Sequence, residues 1–217
     1  MLSLTEENYL KAIYHLSASG EKAVLTNEIA EAMNTKAASV TDMIKKLSVK
    51  SLLSYEKYYG VKLCASGKTE ALLIIRKHRL WETFLVQSLG FTWDEVHEVA
   101  EQLEHIQSPL LIEKLDSFLG YPKMDPHGEP IPDNKGRIKV QPQSSLDQLQ
   151  SGYQGVILAV KDSDPNLLKY LDKIGATPGK KIKIVNREEY DDSLEIEIGK
   201  QKVSISKDVS KNILVTV

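Results

Sequence analysis

Residues 76–82, Arg-Lys-His-Arg-Leu-Trp-Glu, form the most distinctive stretch of the sequence. His78 and Glu82 lie four positions apart, so a helix through this stretch places both on one face. A second helix is predicted over residues 94–107, where four polar side chains also share a face: His97, Glu101, Glu104 and His105. Carboxylates and imidazoles together favour first-row divalent metals such as Mn, Fe, Co, Ni and Zn. The two faces therefore predict a helical metal-binding domain.

A plainer explanation of the same pattern is a solvated surface. Glu and His on a helix often form only weak pairs at i,i+4 spacing. The HExxH motif of zincin peptidases does not occur in the sequence. The joint pattern favours a metal site, while the missing motif disfavours a peptidase.

Composition indicates an ordinary cytoplasmic protein of more than one domain. The chain has 217 residues, 27% of them charged, and a net charge of -2, so any nucleic-acid surface must be local. Its single cysteine, Cys64, excludes an intrachain disulfide and fits a reducing compartment. The N-terminus lacks a secretion signal, and the sequence has no apolar run of membrane-spanning length.

The first 67 residues are typical of a winged helix-turn-helix. Thr5 is expected to cap a helix that ends near residue 17, and a short second helix starts at residues 26–28. A third helix is predicted from the apolar spacing of residues 40–47, ending near Lys50, and residues 54–63 read as a β-hairpin. Three helices followed by a hairpin is the winged-helix arrangement.

Charge supports a role for this segment in DNA binding. Residues 34–68 contain seven lysines and two acids, a net charge of +5 on an acidic chain. Small side chains at the start of the third helix allow close approach to bases, and lysines farther along and in the wing suit phosphates. The alternative is a solvated lysine face. The predicted DNA-contacting residues are Thr35, Lys36, Ala37, Ala38, Ser39, Asp42, Lys45, Lys46, Lys57 and Lys62.

The remaining chain divides into three predicted segments. Residues 68–122 contain helices at 68–89 and 110–119, and the first has apolar surface enough for a subunit contact as well as a core. Residues 123–150 are a proline-rich linker in which His127 is a possible ligand, although a lone loop histidine is more often simply exposed. Residues 151–217 contain five short predicted strands and one short helix, typical of a small SH3-like β-barrel.

Three motifs together resemble those of the diphtheria toxin repressor family, which are bacterial metal-dependent transcription regulators. They are residues 76–82, residues 96–105, and the loop Asp-Pro-His-Gly-Glu-Pro-Ile-Pro at 125–132. The resemblance covers the whole chain. It implies a mainly α N-terminal part, made of a winged helix-turn-helix and a helical dimerisation and metal-binding domain, followed by a small all-β SH3-like (FeoA-like) barrel. It also implies a homodimer on a palindromic double-stranded DNA operator, repressing metal-uptake genes with the metal as co-repressor.

The resemblance also assigns metal ligands. His78, Glu82 and His97 match an ancillary site. Asn8, Glu101, Glu104 and His105 match a primary site. One oxygen from the C-terminal domain is expected at the ancillary site, from Asp162, Ser163, Asp164 or Asn166.

Three positions bear on the choice of metal. Glu101 resembles the manganese-sensing branch, whereas Asn8 is neutral, and Lys11 stands where some manganese sensors have a carboxylate. Mn²⁺ or Fe²⁺ is the expected effector, and Co²⁺, Ni²⁺ and Zn²⁺ are expected to substitute in vitro.

Three other functions compete with a manganese-responsive repressor. An iron sensor would share the fold and most ligands. A carboxylate-bridged metallohydrolase or oxidase would need an open coordination position and a substrate cleft, and the lysine-rich helix-turn-helix disfavours it. A winged-helix module with purely structural charges would bind DNA without metal.

Overall fold

A computed structural model describes residues 2–56, 59–139 and 142–216. In chain order its elements are α1 Leu4–Leu16, α2 Thr26–Ala32, α3 Ala37–Val49, β1 Leu53–Glu56, β2 Gly60–Leu63, α4 Ala65–Leu89, α5 Val96–Leu103, α6 Pro109–Phe118, β3 Gln143–Ser145, β4 Gln154–Val160, α7 Pro165–Lys173, β5 Lys181–Arg187, β6 Leu194–Ile198, β7 Gln201–Ile205, α8 Lys207–Ser210 and β8 Ile213–Thr216. In these ranges, no helix is both long and apolar enough to cross a membrane.

The chain forms two compact units whose boundaries cross the linear sequence. The first comprises Met1–His78, Leu103–Ser108 and Pro132–Ile138. The second comprises Arg79–Gln102, Pro109–Ile131 and Lys139–Val217. The long helix α4 passes from one to the other between His78 and Arg79.

The first unit contains the winged helix-turn-helix predicted from the sequence. Strands β1 and β2 pair antiparallel, with Leu53 opposite Leu63, and form the wing. The core is built from buried side chains of all three helices and the wing, among them Leu10, Ile13, Ile29, Leu47 and Val61. The start of α1 differs from the expected Thr5 cap.

Ser3 is the residue that caps α1. Its hydroxyl accepts a hydrogen bond from the Glu6 amide at 3.3 Å, and the Ser3 amide donates to the Glu6 carboxylate at 2.7 Å. This reciprocal capping box satisfies two backbone donors, whereas Thr5 would satisfy only one. The helix therefore begins earlier than predicted, and Thr5 lies inside its first turn.

Helix α5 is shorter than the predicted helix over residues 94–107. It begins at Val96 and ends at Leu103, and the Ile106 amide closes a turn on the Leu103 carbonyl at 3.1 Å. Glu104 and His105 thus lie beyond the helix. The next helix starts at Pro109. The four polar residues predicted to share one helical face are therefore divided: His97 and Glu101 lie on α5, whereas Glu104 and His105 follow it.

The C-terminal part of the second unit is an antiparallel sheet. In the described chain its strand order is β3-β8-β4-β5-β6-β7, so β3 and β7 are edges and the barrel is not closed. Five strands were predicted, and the additional one is β3, whose polar sequence Gln-Ser-Ser carries no apolar alternation. Isoleucine and leucine side chains fill the core, including Ile157, Leu168, Leu171, Ile184 and Leu194. The architecture is SH3-like, as expected.

Candidate metal centre and DNA-binding face

Buried acidic and imidazole side chains converge in the second unit. Glu82 comes from α4, and Asp125 and His127 come from the loop that follows α6. One oxygen or nitrogen of each lies within 4.8 Å of the others, and all three residues are buried. His127 Nδ1 is 3.5 Å from Glu82 Oε2. A carboxylate pair and an imidazole at this spacing form a candidate metal site.

His127 is buried, which corrects the expectation that it would be exposed. Only 6% of the residue is accessible. Its Nε2 donates to the Trp93 carbonyl at 2.8 Å, and its ring stacks on the Trp93 ring with centroids 5.8 Å apart. Once it has lost its Nδ1 proton, an imidazole that donates from Nε2 has its lone pair on Nδ1, which here faces Glu82. Such a second contact orients a metal-ligating histidine.

The loop carrying these residues is fixed by its own hydrogen bonds. Asp125 Oδ1 accepts from the His127 amide at 2.8 Å and the Glu129 amide at 2.9 Å. Arg79 donates to the Pro130 carbonyl at 2.6 Å and pairs with the Glu129 carboxylate. The ligand positions are therefore set by backbone geometry.

Electrostatics indicate that this cluster needs positive charge. Burial, followed by the charge of Glu82, raises the pKa of Asp125 to about 7. Burial alone would lower the pKa of His127, but its hydrogen bond with Glu82 and the nearby acids raise that pKa to about 9. Within the described residues, Asp125 Oδ2 accepts no hydrogen bond, although Arg79 Nε lies 3.4 Å away. The side chains present therefore fit a divalent cation.

His97 and Glu101 extend the cluster towards solvent. His97 Nδ1 is 3.6 Å from Glu82 Oε1, and His97 Nε2 is 3.7 Å from Glu101 Oε1. Glu82 consequently has an imidazole on each of its oxygens. Of the predicted ligands, the structure brings together Glu82, His97 and Glu101, and it adds Asp125 and His127.

The first unit contains a second cluster, centred on Glu104. His78 Nδ1 lies 2.7 Å from Glu104 Oε2, and Lys11 Nζ lies 2.7 Å from Oε1. Burial would raise the pKa of Glu104, but the His78 hydrogen bond and the Lys11 charge outweigh it and lower that pKa. The carboxylate is therefore ionised and held between two nitrogen groups.

His105 completes this second cluster with a residue that the sequence analysis did not name. Its Nδ1 is 2.6 Å from Glu7 Oε2. Gln107 donates to Glu7 Oε1 at 2.8 Å, and Lys77 pairs with the same oxygen at 3.3 Å. The predicted ligand Asn8 follows directly, and its Oδ1 is buried with no hydrogen-bond partner among the residues described. An unsatisfied buried carbonyl oxygen fits a metal ligand.

The C-terminal oxygens expected at the ancillary site lie just after β4. The Val160 amide donates to the His127 carbonyl at 3.0 Å, which ties the end of that strand to the ligand loop. Asp162 accepts from the Asp164 amide at 3.0 Å, and Asp164 caps α7. The choice among Asp162, Ser163, Asp164 and Asn166 stays a prediction.

The predicted DNA-contacting residues of α3 and its preceding turn form an exposed surface: Thr35, Lys36, Ala37, Ala38, Ser39, Asp42, Lys45 and Lys46. Lys62 of the wing is exposed as well, and Lys57 lies outside the described residues. Lys46 of α3 and Lys50, which follows α3, pair with an acid of α1, since they lie 3.3 and 2.7 Å from Glu6 Oε1. Burial would raise the pKa of Glu6, but these lysines and the Ser3 amide lower it to about 2. Glu6 thereby anchors α3 to α1.

Family models match the chain in three consecutive segments. The iron-dependent repressor N-terminal DNA-binding domain matches residues 1–61. The metal-binding and dimerisation domain of the iron-dependent repressor matches residues 65–133, and the FeoA domain matches residues 144–217. These matches confirm the fold class predicted from the sequence, in which a DNA-binding part and a metal-binding and dimerisation part precede a FeoA-like C-terminal domain.

Individual relatives agree with the family models. An uncharacterized HTH-type transcriptional regulator of Methanocaldococcus jannaschii is 36% identical over 118 residues, covering 54% of this chain and 94% of that protein. The diphtheria toxin repressor of Corynebacterium jeikeium is 32% identical over 146 residues, covering 67% of this chain and 60% of that protein. A solved manganese-dependent transcriptional repressor in complex with manganese has a TM-score of 0.89 and 33% identity, covering 97% of this chain and 99% of that chain. The chain therefore belongs to the iron-dependent repressor family of metal-dependent transcriptional regulators, which includes the diphtheria toxin repressor.

Proposed function

We propose that this protein represses metal-uptake genes by binding a palindromic operator as a homodimer, with Mn²⁺ as co-repressor and Fe²⁺ as the alternative effector. The candidate ligands provide oxygen and nitrogen and no sulfur. Such a shell suits Mn²⁺, whereas a thiolate would favour softer or later metals. Co²⁺, Ni²⁺ and Zn²⁺ are expected to bind at least as tightly in vitro, because Mn²⁺ stands lowest in the divalent affinity order.

The observation that carries this proposal is the buried cluster of Glu82, Asp125 and His127. Two carboxylates are expensive to bury together without a counter-charge. When bound there, a divalent ion would add positive charge to that of Arg79, which lies 3.4 Å from Asp125 Oδ2. Glu82 would hold it from α4, and Asp125 and His127 from the loop. The ion would thus fix the loop to the helix.

A second ion is assigned to the cluster in the first unit. Asn8 Oδ1, the Glu104 carboxylate and His105 are the proposed ligands there. Helix α1 would then be joined to residues 103–108 through the ion as well as through Glu7. Since Glu6 of α1 pairs with Lys46 of α3, ordering of α1 bears on the DNA-binding helix. A metal that binds the ordered arrangement better shifts the population towards it.

Apolar surface on α6 supports the homodimer. Phe118 is 69% exposed, and Leu110 and Leu111 on the same helix are also exposed. Phe118 packs edge-to-face on Phe84 of α4 with ring centroids 5.9 Å apart. Exposed apolar side chains that share one helix are candidates for a subunit contact.

The proposal is tested by fluorescence anisotropy on labelled DNA from upstream of the gene, under anaerobic conditions. We expect Mn²⁺ to increase DNA affinity by about 10- to 100-fold, the usual range of allosteric coupling, and Fe²⁺ to do no better. His127→Gln should remove most of this increase without changing metal-free binding. His15→Gln, which changes an exposed histidine of α1, is the control and should respond like the wild type.

Two results would contradict the proposal in different parts. Equal DNA affinity with and without every divalent metal would exclude a metal-dependent repressor. If Fe²⁺ increases DNA affinity and millimolar Mn²⁺ does not, the protein is still a metal-dependent repressor, but its effector is iron.

A further inference from the structure

Lys11 occupies a position close to a proposed metal ligand. Its Nζ lies 2.7 Å from Oε1 and 2.8 Å from Oε2 of Glu104, so one ammonium group contacts both carboxylate oxygens. Glu104 is 0% exposed and the Lys11 side chain only 14% exposed. A charge-assisted pair removed from water in this way is among the stronger polar contacts in proteins.

The pair uses the same oxygens that a metal would need. Glu104 Oε2 is also contacted by His78 Nδ1 at 2.7 Å. A divalent ion bound to Glu104 would therefore face an ammonium group within a few ångströms of its own position. Like charges at that separation repel strongly where water is largely excluded. Simultaneous contact of Glu104 with the metal ion and with the Lys11 ammonium group is therefore disfavoured.

Position on the helix places the lysine beside a proposed ligand. Asn8 and Lys11 are three residues apart on α1 and so lie on the same face. Asn8 Oδ1 is buried and, in the described chain, accepts no hydrogen bond, whereas Lys11 has Glu104 as partner. The same helix face thus carries a ligand atom without a partner and a cation in contact with the neighbouring ligand.

We propose that Lys11 is a tethered cation that neutralises Glu104 when no metal is bound, and that an incoming metal must displace it. Lys11 then sets the metal concentration at which this site fills. Metal-free protein keeps α1 attached to residue 104 through the lysine. This inference rests on the proposed function for the identity of the site, but it concerns metal affinity and not DNA binding.

The test measures Mn²⁺ affinity directly, by the electron paramagnetic resonance signal of free Mn²⁺ during titration of the full chain. The His127→Gln background removes the other proposed site. In it, Lys11→Met should bind Mn²⁺ about tenfold more tightly, because one charge-assisted hydrogen-bonded pair no longer competes. Lys11→Arg keeps the cation and should retain the original affinity.

Lys50→Met is the matched control, since Lys50 also contacts a buried carboxylate at 2.7 Å, that of Glu6. It should leave Mn²⁺ affinity unchanged. Unchanged or weaker Mn²⁺ binding in Lys11→Met, with a native circular dichroism spectrum, would overturn the inference. So would the absence of Mn²⁺ binding in the His127→Gln protein both with and without Lys11→Met. A gain in Lys11→Met supports it even if wild-type DNA binding proves indifferent to metal, which would count only against the proposed function.

Discussion

Glu104→Ala should lose about 3 kcal/mol of unfolding free energy, because removing one partner of a buried ion pair leaves the other charge uncompensated. Glu104 is fully buried between Lys11 and His78. The substitution strands the Lys11 ammonium and leaves a cavity beside it. The variant should also lose the Mn²⁺ assigned to the first unit. Urea denaturation with and without Mn²⁺ measures both effects.

Glu101→Ala provides the comparison for this experiment. Glu101 is another proposed ligand, but its side chain is 36% exposed and its contact with His97 is 3.7 Å. A half-exposed pair of this length contributes less than about 1 kcal/mol. Equal losses of stability in the two variants would show that Glu104 has no special structural role.

The second large effect is expected from Gly128→Ala, in the ligand loop. A Cβ at this position would lie 1.8 Å from the Leu158 carbonyl oxygen and 2.8 Å from the Ala159 Cα. Both atoms belong to the backbone of β4, so the loop must move away. The hydrogen bond from the Val160 amide to the His127 carbonyl should then break. Asp125 and His127 should lose their positions as ligands as a result. We expect the free energy of unfolding to fall by about 3–5 kcal/mol, the range of severe steric substitutions.

Gly152→Ala separates this clash from the cost of backbone conformation. Gly152 has φ of +91°, similar to +83° at Gly128, but nothing lies within 4 Å of its Cβ position. Its replacement should cost only about 1 kcal/mol, from the left-handed conformation alone. Thermal unfolding and Mn²⁺ binding of the two variants measure the difference. A Gly128→Ala protein that is as stable as Gly152→Ala and binds Mn²⁺ normally would contradict the role given to the loop.

The sequence was sufficient for the winged helix because its signals are local. Apolar residues recur at helical spacing in α1 and α3, and the wing hairpin is predicted from its own residues. The structure has α3 at Ala37–Val49 and the hairpin at β1 and β2, close to the predicted ranges. The family followed from three short motifs whose order and spacing are specific.

The metal centre was harder to predict because its contacts are distant in sequence. His127 lies 45 residues after Glu82, and nothing local indicates that its ring is buried against Trp93. The usable signal was its place inside the family motif at residues 125–132. Glu7 was missed for a similar reason, since its contact with His105 spans 98 residues. Helical periodicity also could not reveal that α5 ends at Leu103, because the partners of Glu104 and His105 come from elsewhere.

The most direct test of the metal centre is a crystal structure of the protein with Mn²⁺, with anomalous scattering recorded at the manganese edge. We predict an anomalous peak bounded by Glu82 Oε2, Asp125 Oδ2 and His127 Nδ1, with His127 Nε2 still donating to the Trp93 carbonyl. Crystals grown with saturating Mn²⁺ in which no peak lies among these three atoms, and His127 contacts Glu82 directly, would contradict the assignment.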